Sequence, residues 1–346
     1  DQTSWAVFAQ ADFNLNEDLI LTLGVRYLDE EKDMDVRFVE SQFSPVWAAF
    51  TPLSPFVPDV DGAKFEDEAV TGTAKLTYYW TEDFMTYVSY GRGYKSGGTN
   101  IDRIDPALTG SPLLFDPETS DSYEIGFKGD FLDRRLRINA AIYQTNFDDF
   151  QANTFVGTGF VLQNAGEIQS QGFEVEVFAL PAEWLTIASG LSYVDAEYDS
   201  FVGGSCIRTP FGNEPDRTQP NFPSVCDASG NIVGGTPEWT WYGSAQVHKR
   251  LGSGSLFYGQ LDVNWKDENP SGTDNDPNKF PDSYALTNLR SGYRFSGDRY
   301  DVSLWAKNLL DEDYTNGGFN SVIREGSLTE YHTEPRTWGV TLRATM

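Results

Sequence analysis

The chain lacks any run of about 18 apolar residues, which excludes a membrane-spanning helix. It is short of positive charge: 25 Lys and Arg stand against 52 Asp and Glu, for a formal net charge of -27. Phosphate binding needs a basic footprint, so nucleic acid is excluded as a partner. Histidine is nearly absent, with only His248 and His332, and no Gly-x-Ser-x-Gly elbow occurs. A Ser-His hydrolase therefore has little to stand on. Cysteine is scarce too. Cys206 and Cys226 share one long polar segment with no histidine near them in sequence. They read as a metal or nucleophile site, or as a disulfide closing one loop, and the disulfide is the better fit. Such a bridge implies an oxidising compartment. Neither an initiator Met nor a signal peptide stands at Asp1, so the sequence reads as processed or as a fragment.

What the chain has is alternation. Thirteen stretches switch between apolar and polar residues with a period of two. In the last, Trp338, Val340, Leu342, Ala344 and Met346 share one face, while Thr337, Gly339, Thr341 and Arg343 share the other. Leu19, Leu21, Leu23, Val25 and Tyr27 oppose Thr22, Gly24 and Arg26 in the same way. Successive strand side chains point to opposite faces, so each stretch has a greasy side and a wet side. The wet side carries whole charges in mid-strand. A closed transmembrane barrel has such a face inside and lipid outside, and only every second residue must be apolar.

The alternation predicts strands over 3–13, 18–38, 66–80, 84–95, 120–130, 134–149, 161–179, 183–198, 238–249, 255–266, 283–295, 299–309 and 335–346. Short turns join them in pairs, at 14–17, 81–83, 129–134, 180–183, 251–254 and 296–298. Long polar connections separate the pairs, at 39–65, 96–119, 150–160, 199–237, 267–282 and 310–334. Short on one side and long on the other is the pattern of periplasmic turns and extracellular loops. Aromatics beside the turns read as interfacial girdles: Tyr78, Tyr79, Trp80, Phe84 and Trp184, extended by Trp239, Trp241, Tyr242, Tyr258 and Trp265. With thirteen strands the first and last run in one direction, so they cannot close an antiparallel seam. Strands are expected to be missing from the N-terminal side.

Five segments carry a family likeness. They are Tyr87–Asn100 (YVSYGRGYKSGGTN), Pro117–Gln151 (PETSDSYEIGFKGDFLDRRLRINAAIYQTNFDDFQ), Asn164–Val177 (NAGEIQSQGFEVEV), Ser303–Tyr314 (SLWAKNLLDEDY) and Glu334–Met346 (EPRTWGVTLRATM). In family order they resemble the C-terminal barrel of TonB-dependent outer-membrane receptors. The resemblance implies an all-β fold, a transmembrane antiparallel β-barrel of about 22 strands of which residues 1–346 hold the C-terminal 13. The family's plug domain and TonB box find no match in this chain. Met346 stands where the family usually ends in an aromatic residue.

Gly91-Arg92-Gly93-Tyr94-Lys95-Ser96-Gly97-Gly98 lacks the spacing and the following helix of a phosphate loop, so rim glycines explain it better. Glu174/Glu176 and Asp148/Asp149 have no nucleophile beside them and read as polar lumen residues. Asp274-Asn275-Asp276-Pro277-Asn278 opens like a calcium loop, but Lys279 replaces the glycine, so a solvated acidic loop is expected. No catalytic residue, metal site or cofactor is expected. Aromatics and arginines in the long connections suit capture of a large solute with anionic groups. The candidates for ligand binding are Trp47, Phe56, Arg103, Arg208, Phe211, Arg217, Phe319, Arg324 and Tyr331.

By resemblance the whole protein is an outer-membrane receptor, not an enzyme. It would take up a scarce large solute, a ferric siderophore or similar iron chelate. Its partners would be outer-membrane lipid and, through the missing N-terminal region, the TonB-ExbB-ExbD complex. A soluble secreted glycan-binding β protein and a passive porin are the alternatives.

Overall fold

The computed structural model describes residues 1–36, 60–100, 114–156, 159–207, 226–295, 297–320 and 327–345. The strands are β1 (Gln2–Asn14), β2 (Leu19–Val36), β3 (Val60–Thr81), β4 (Phe84–Lys95), the short pair β5 (Gly98–Thr99) and β6 (Leu114–Phe115), then β7 (Glu118–Phe131), β8 (Leu136–Val156), β9 (Gly159–Ala182) and β10 (Leu185–Tyr198). After them come β11 (Trp239–Arg250), β12 (Leu256–Lys266), β13 (Tyr284–Phe295), β14 (Tyr300–Lys307), the short pair β15 (Thr315–Asn320) and β16 (Leu328–His332), and β17 (Thr337–Ala344). Thirteen of them form one sheet in the order β1-β2-β3-β4-β7-β8-β9-β10-β11-β12-β13-β14-β17. Each strand pairs with its predecessor, antiparallel throughout. The edges are β1 and β17, and they run in one direction, as strand parity requires.

The strand faces follow the alternation. Leu76, Val88, Ile125, Ile142, Phe173, Tyr193 and Trp239 lie opposite one another across seven neighbouring strands. Val88, Ile125 and Ile142 are about half exposed, at 50%, 53% and 58%. Among the described residues no second layer covers this face. A soluble sandwich would need one, so the uncovered belt is a lipid-facing surface. Its outward apolar positions include Tyr27, Tyr90, Tyr123 and Tyr193 on the long-loop side, and Trp80 and Phe84 on the short-turn side, as aromatic girdles do.

The other face is polar and carries a repeated packing device. Tyr87 lies over Gly126, Tyr143 over Gly172, Tyr242 over Gly190, Tyr258 over Gly292 and Trp305 over Gly339. In each case the two residues are direct cross-strand partners. The missing side chain makes room for a ring lying flat on the next strand. At Gly126 a Cβ would stand 2.7 Å from both the Ala140 carbonyl oxygen and Tyr87 Oη. Tyr87 Oη donates to Glu124 Oε1, and Lys75 Nζ sits 4.5 Å from the Tyr87 ring centre. Charges here avoid lipid, where Arg or Lys near the midplane costs about 2–4 kcal/mol. Tyr242 and Tyr258 therefore belong to the lumen wall, a correction to the girdle reading. Tyr79 also faces inward. It lines a 360 Å³ hollow near the short turns with Lys128, Asp130 and Arg137.

One expected long connection is absent. Residues 150–156 and 159–160 are paired backbone, because β8 continues to Val156 and β9 begins at Gly159. At Asp149 the backbone is left-handed (φ 54°), yet the register is unchanged beyond it. Phe147 and Phe150 consequently pack on one cluster, with ring centres 5.7 Å apart. The period of two breaks there, so alternation alone ends the strand too early.

Candidate functional site: an inward-folded loop cap

The chain leaves β10 at Tyr198 and turns back over the polar face. Tyr198 shares that face with Ser192 and Val194, and it pairs in register with Ile168 of β9. Phe201 is 1% exposed, with its ring centre 5.0 Å from that of Tyr198. Ala152, Ala165, Ile168 and Ala228 complete a small apolar core with these rings. Apolar burial thus holds residues 199–207 and 226–237 against the polar face.

Hydrogen bonds hold the returning strand of this connection. Ala228 N donates to Phe201 O (2.7 Å), Gly230 N to Tyr198 O (2.7 Å), and Cys226 N to Gly204 O (2.8 Å). Cys206 and Cys226 are joined by a disulfide across a sequence separation of 20. Closing a loop of that size stabilises by about 3 kcal/mol in a chain-entropy estimate. Asp227 accepts from Ser229 N (3.0 Å) and Ser229 Oγ (2.6 Å). The Ser229 hydroxyl, and then its amide, hold the Asp227 carboxyl below the usual carboxylate range.

The connection between β12 and β13 docks against the first. Ser205 N donates to Thr273 Oγ1 (3.0 Å), and Gly235 N to Pro270 O (2.7 Å). Asn275 bonds Ile232 reciprocally, at 2.8 and 2.9 Å. Here the expectation of a solvated acidic loop fails. Asp274 and Asp276 are 4% and 1% exposed. Lys279 Nζ pairs with Asp274 Oδ2, with side chains 5% and 0% exposed. Asp276 caps a 3-10 turn at Pro277–Lys279 by accepting from Asn278 N (3.0 Å). The lysine at the glycine position of the would-be calcium loop thus supplies the cation itself. Among the described residues no group of three could hold a metal ion.

The β15–β16 hairpin adjoins this body: a Cβ on Gly317 would lie 3.2 Å from Ser271 Oγ. Phe319 and Tyr331 meet on it, with ring centres 5.6 Å apart and Tyr331 62% exposed. These two are the sequence-predicted ligand residues that the structure brings together. Trp47, Phe56, Arg103, Arg208, Phe211, Arg217 and Arg324 lie outside the described residues.

On the far side, the chain after β4 bridges two tall hairpins. Lys32 of β2 donates to Ser96 Oγ and to Gly97 O (2.8 Å). Gln151 of β8 donates through Nε2 to Ser96 O (2.9 Å) and Asp116 O (3.1 Å). Asn100 bonds Leu162 of β9 at both ends of its amide, at 2.7 and 2.8 Å. A Cβ on Gly97 would lie 2.5 Å from Phe115 O and from the Phe65 ring, so this glycine allows close approach of chain to chain. The long-loop end is acidic as well. Asp29 faces Glu68, Glu30 faces Asp67 and Glu31 faces Glu66, with Lys32 and Lys64 as the bridging cations. Sequence reasoning noted Lys279 only as the residue that breaks a calcium-loop pattern, and did not single out Tyr198 or Phe201. An aromatic just past a strand end and a lysine inside an acidic run were the signals available.

Comparison with known proteins agrees with this architecture. The family model described as TonB dependent receptor-like, beta-barrel matches residues 1–309. The ferric-pyoverdine 358 receptor of Pseudomonas putida is 27% identical over 337 residues, covering 97% of this chain and 34% of that protein. The probable TonB-dependent siderophore receptor PiuA of Acinetobacter baumannii is 28% identical over 205 residues, covering 59% of this chain and 25% of that protein. Among solved structures, the ferric yersiniabactin uptake receptor FyuA of Yersinia pestis superposes with a TM-score of 0.75 at 20% identity, over 99% of this chain and 45% of that one. The crystal structure of PiuA gives a TM-score of 0.72 at 22% identity, over 99% of this chain and 42% of that one. The chain thus spans about a third of the length of the pyoverdine receptor and under half of the solved barrels. The family is one of transport receptors, not enzymes, and its barrels lie in the outer membrane of Gram-negative bacteria. With its lipid-facing belt, polar inner wall and matching family model, this chain belongs to the TonB-dependent receptor β-barrel family.

Proposed function

We propose that this chain is the C-terminal part of the barrel of an outer-membrane receptor that captures a large iron chelate, a ferric siderophore, for TonB-energised uptake. The remainder of the protein would supply the other strands, the plug domain and the TonB box, and through them contact with TonB-ExbB-ExbD. The observation that carries the reading is the loop cap folded against the inner wall of a family barrel. A passive porin has less use for a disulfide-closed, internally bonded cap packed on its inner wall. Relatives named for pyoverdine and catecholate siderophores support the ligand class.

The aromatic pair Phe319 and Tyr331 would pack against the chelate, joined by the candidate arginines Arg103, Arg208, Arg217 and Arg324 and by Trp47, Phe56 and Phe211. Nothing in this reading requires covalent chemistry. The test is uptake of radiolabelled iron by iron-starved cells carrying the whole receptor, offered hydroxamate, catecholate and pyoverdine-type chelates in turn. Uptake of at least one, abolished by deleting tonB, is expected. Equal accumulation with and without TonB would point to a passive pore and overturn the proposal.

A further inference from the structure

Asn316-Gly317 is the one asparagine-glycine pair in the sequence, and it lies at a break in the β15–β16 hairpin. Thr315 pairs with His332 and Gly318 with Glu330, so Asn316 and Gly317 together stand against Tyr331 alone. Such a bulge leaves a residue out of the ladder and bends the strand. Gly317 has φ 143°, a backbone conformation that side chains of the L series rarely adopt. Asn316 is exposed, and its side-chain amide makes no hydrogen bond among the described residues.

Asparagines elsewhere show the contrast. Asn308 is 6% exposed, and its amide is bonded at both ends to the Glu312 backbone, at 2.8 Å each. Asn16 is as exposed as Asn316, but its Oδ1 accepts from Asp18 N and Leu19 N, at 2.8 and 2.9 Å. The residue after Asn16 is Glu17, whose side chain crowds its own backbone nitrogen. Gly317 has no side chain to shield its nitrogen, and nothing holds the Asn316 amide away from it. A nucleophile and an electrophile joined by so short a tether react at a high effective concentration.

We propose that Asn316 is a self-modification site: the Gly317 nitrogen cyclises onto the Asn316 side chain, and hydrolysis leaves aspartate or isoaspartate at position 316. The Gly317 amide proton is lost to base, the nitrogen bonds to Asn316 Cγ, and the Cγ–Nδ2 bond breaks. Nδ2 takes up a proton and leaves as ammonia. Water then opens the cyclic imide at either carbonyl. No oxidant, reductant or second protein takes part. Either product puts a negative charge opposite Tyr331, beside the Gly318–Glu330 pair. Isoaspartate also adds a carbon to the main chain inside the bulge. The new charge repels an anionic chelate from Phe319 and Tyr331, so capture declines as the receptor ages. That consequence rests on the proposed ligand class; the modification itself does not.

The whole receptor would be purified in detergent and incubated at growth temperature over a series of mildly alkaline pH values. Peptide mass spectrometry reads the change from amide to acid at each asparagine, and isoaspartyl methyltransferase labelling reads the isomer. Conversion at Asn316 is expected to run at least about tenfold faster than at Asn16. It should quicken as pH rises, because the attacking nitrogen must lose its proton, and isoaspartate should be among the products. N316Q, with its amide one carbon further from the backbone, should resist it. Conversion at Asn316 no faster than at Asn16 overturns the proposal. So does aspartate without isoaspartate, since that is direct hydrolysis with no cyclic imide. Ferric pyoverdine is the probe for capture, and N316D is expected to bind it several-fold more weakly than N316Q. Equal binding by the two variants overturns the effect on capture. Binding by neither counts against the ligand class and leaves conversion at Asn316 to be judged by its own rate and products.

Discussion

Individual residues in this barrel matter mainly through space and pairing. Gly126 is the clearest case, because any side chain there meets a backbone oxygen that cannot rotate away. Gly126→Ala is expected to destabilise the receptor by roughly 1–3 kcal/mol, read as a shift in urea unfolding of the lipid-reconstituted protein. An unchanged midpoint would show that the Tyr87 ring and β8 backbone yield more easily than their packing implies. Asp227 makes a different prediction. Its carboxyl sits below the usual carboxylate range through Ser229. Its contribution to cap docking is therefore present above the unfolded value of about 3.9, and is lost as pH falls through the lower folded value. Amide exchange at residues 226–233 should accelerate at that acid end, and Ser229→Ala should move the change to higher pH. Exchange that ignores pH in both proteins would count against the role of this turn.

Among elements, the loop cap is the part with its own internal logic. Lys279 and Asp274 form a buried pair at the seam between two connections. Removing one partner strands a charge, so Lys279→Met is expected to loosen the cap by about 3–5 kcal/mol. Lys279→Met with Asp274→Leu should recover much of that loss, since no charge is then left buried. Hydrogen exchange over residues 199–207 and 267–283 reads both variants without requiring the barrel to unfold. If the single and double variants behave alike, the ion pair is not what holds the seam. The β8–β9 hairpin shows why such features escape a strand-by-strand reading. Its alternation is interrupted at Asp149, where one left-handed residue changes which side the next aromatic faces.

For the whole molecule, the sheet is open at β1 and β17, and those edges point the same way. An energised transporter needs further strands and a coupling element under the proposed reading. A protein beginning at Asp1 is accordingly expected to give no TonB-dependent iron uptake, even when it is found in the outer membrane. Measured uptake above that of cells without the protein would refute this. Purified alone, it should need detergent, because the lipid-facing belt has no second layer to cover it.

How much of this was legible in the chain depends on the range of the interaction involved. Thirteen strands, their pairing order and both faces follow from a local rule. A period of two sorts side chains to opposite sides, and short turns force neighbours to pair. The lumen placement of Glu124 and Glu174 and the outward placement of Ile125 needed nothing more. The girdle reading puts Tyr242 and Tyr258 on the wrong face because an aromatic near a strand end looks the same whether it meets lipid or a glycine one strand away. Only registration across strands decides between those fates. The cap is the extreme case. Nothing in the local sequence of 199–207 or 267–283 says that Phe201 will bury against β8 and β9, or that Lys279 will neutralise an acidic run. Those contacts join residues far apart in the chain, and their energy comes from burial that exists only after the sheet has brought them together.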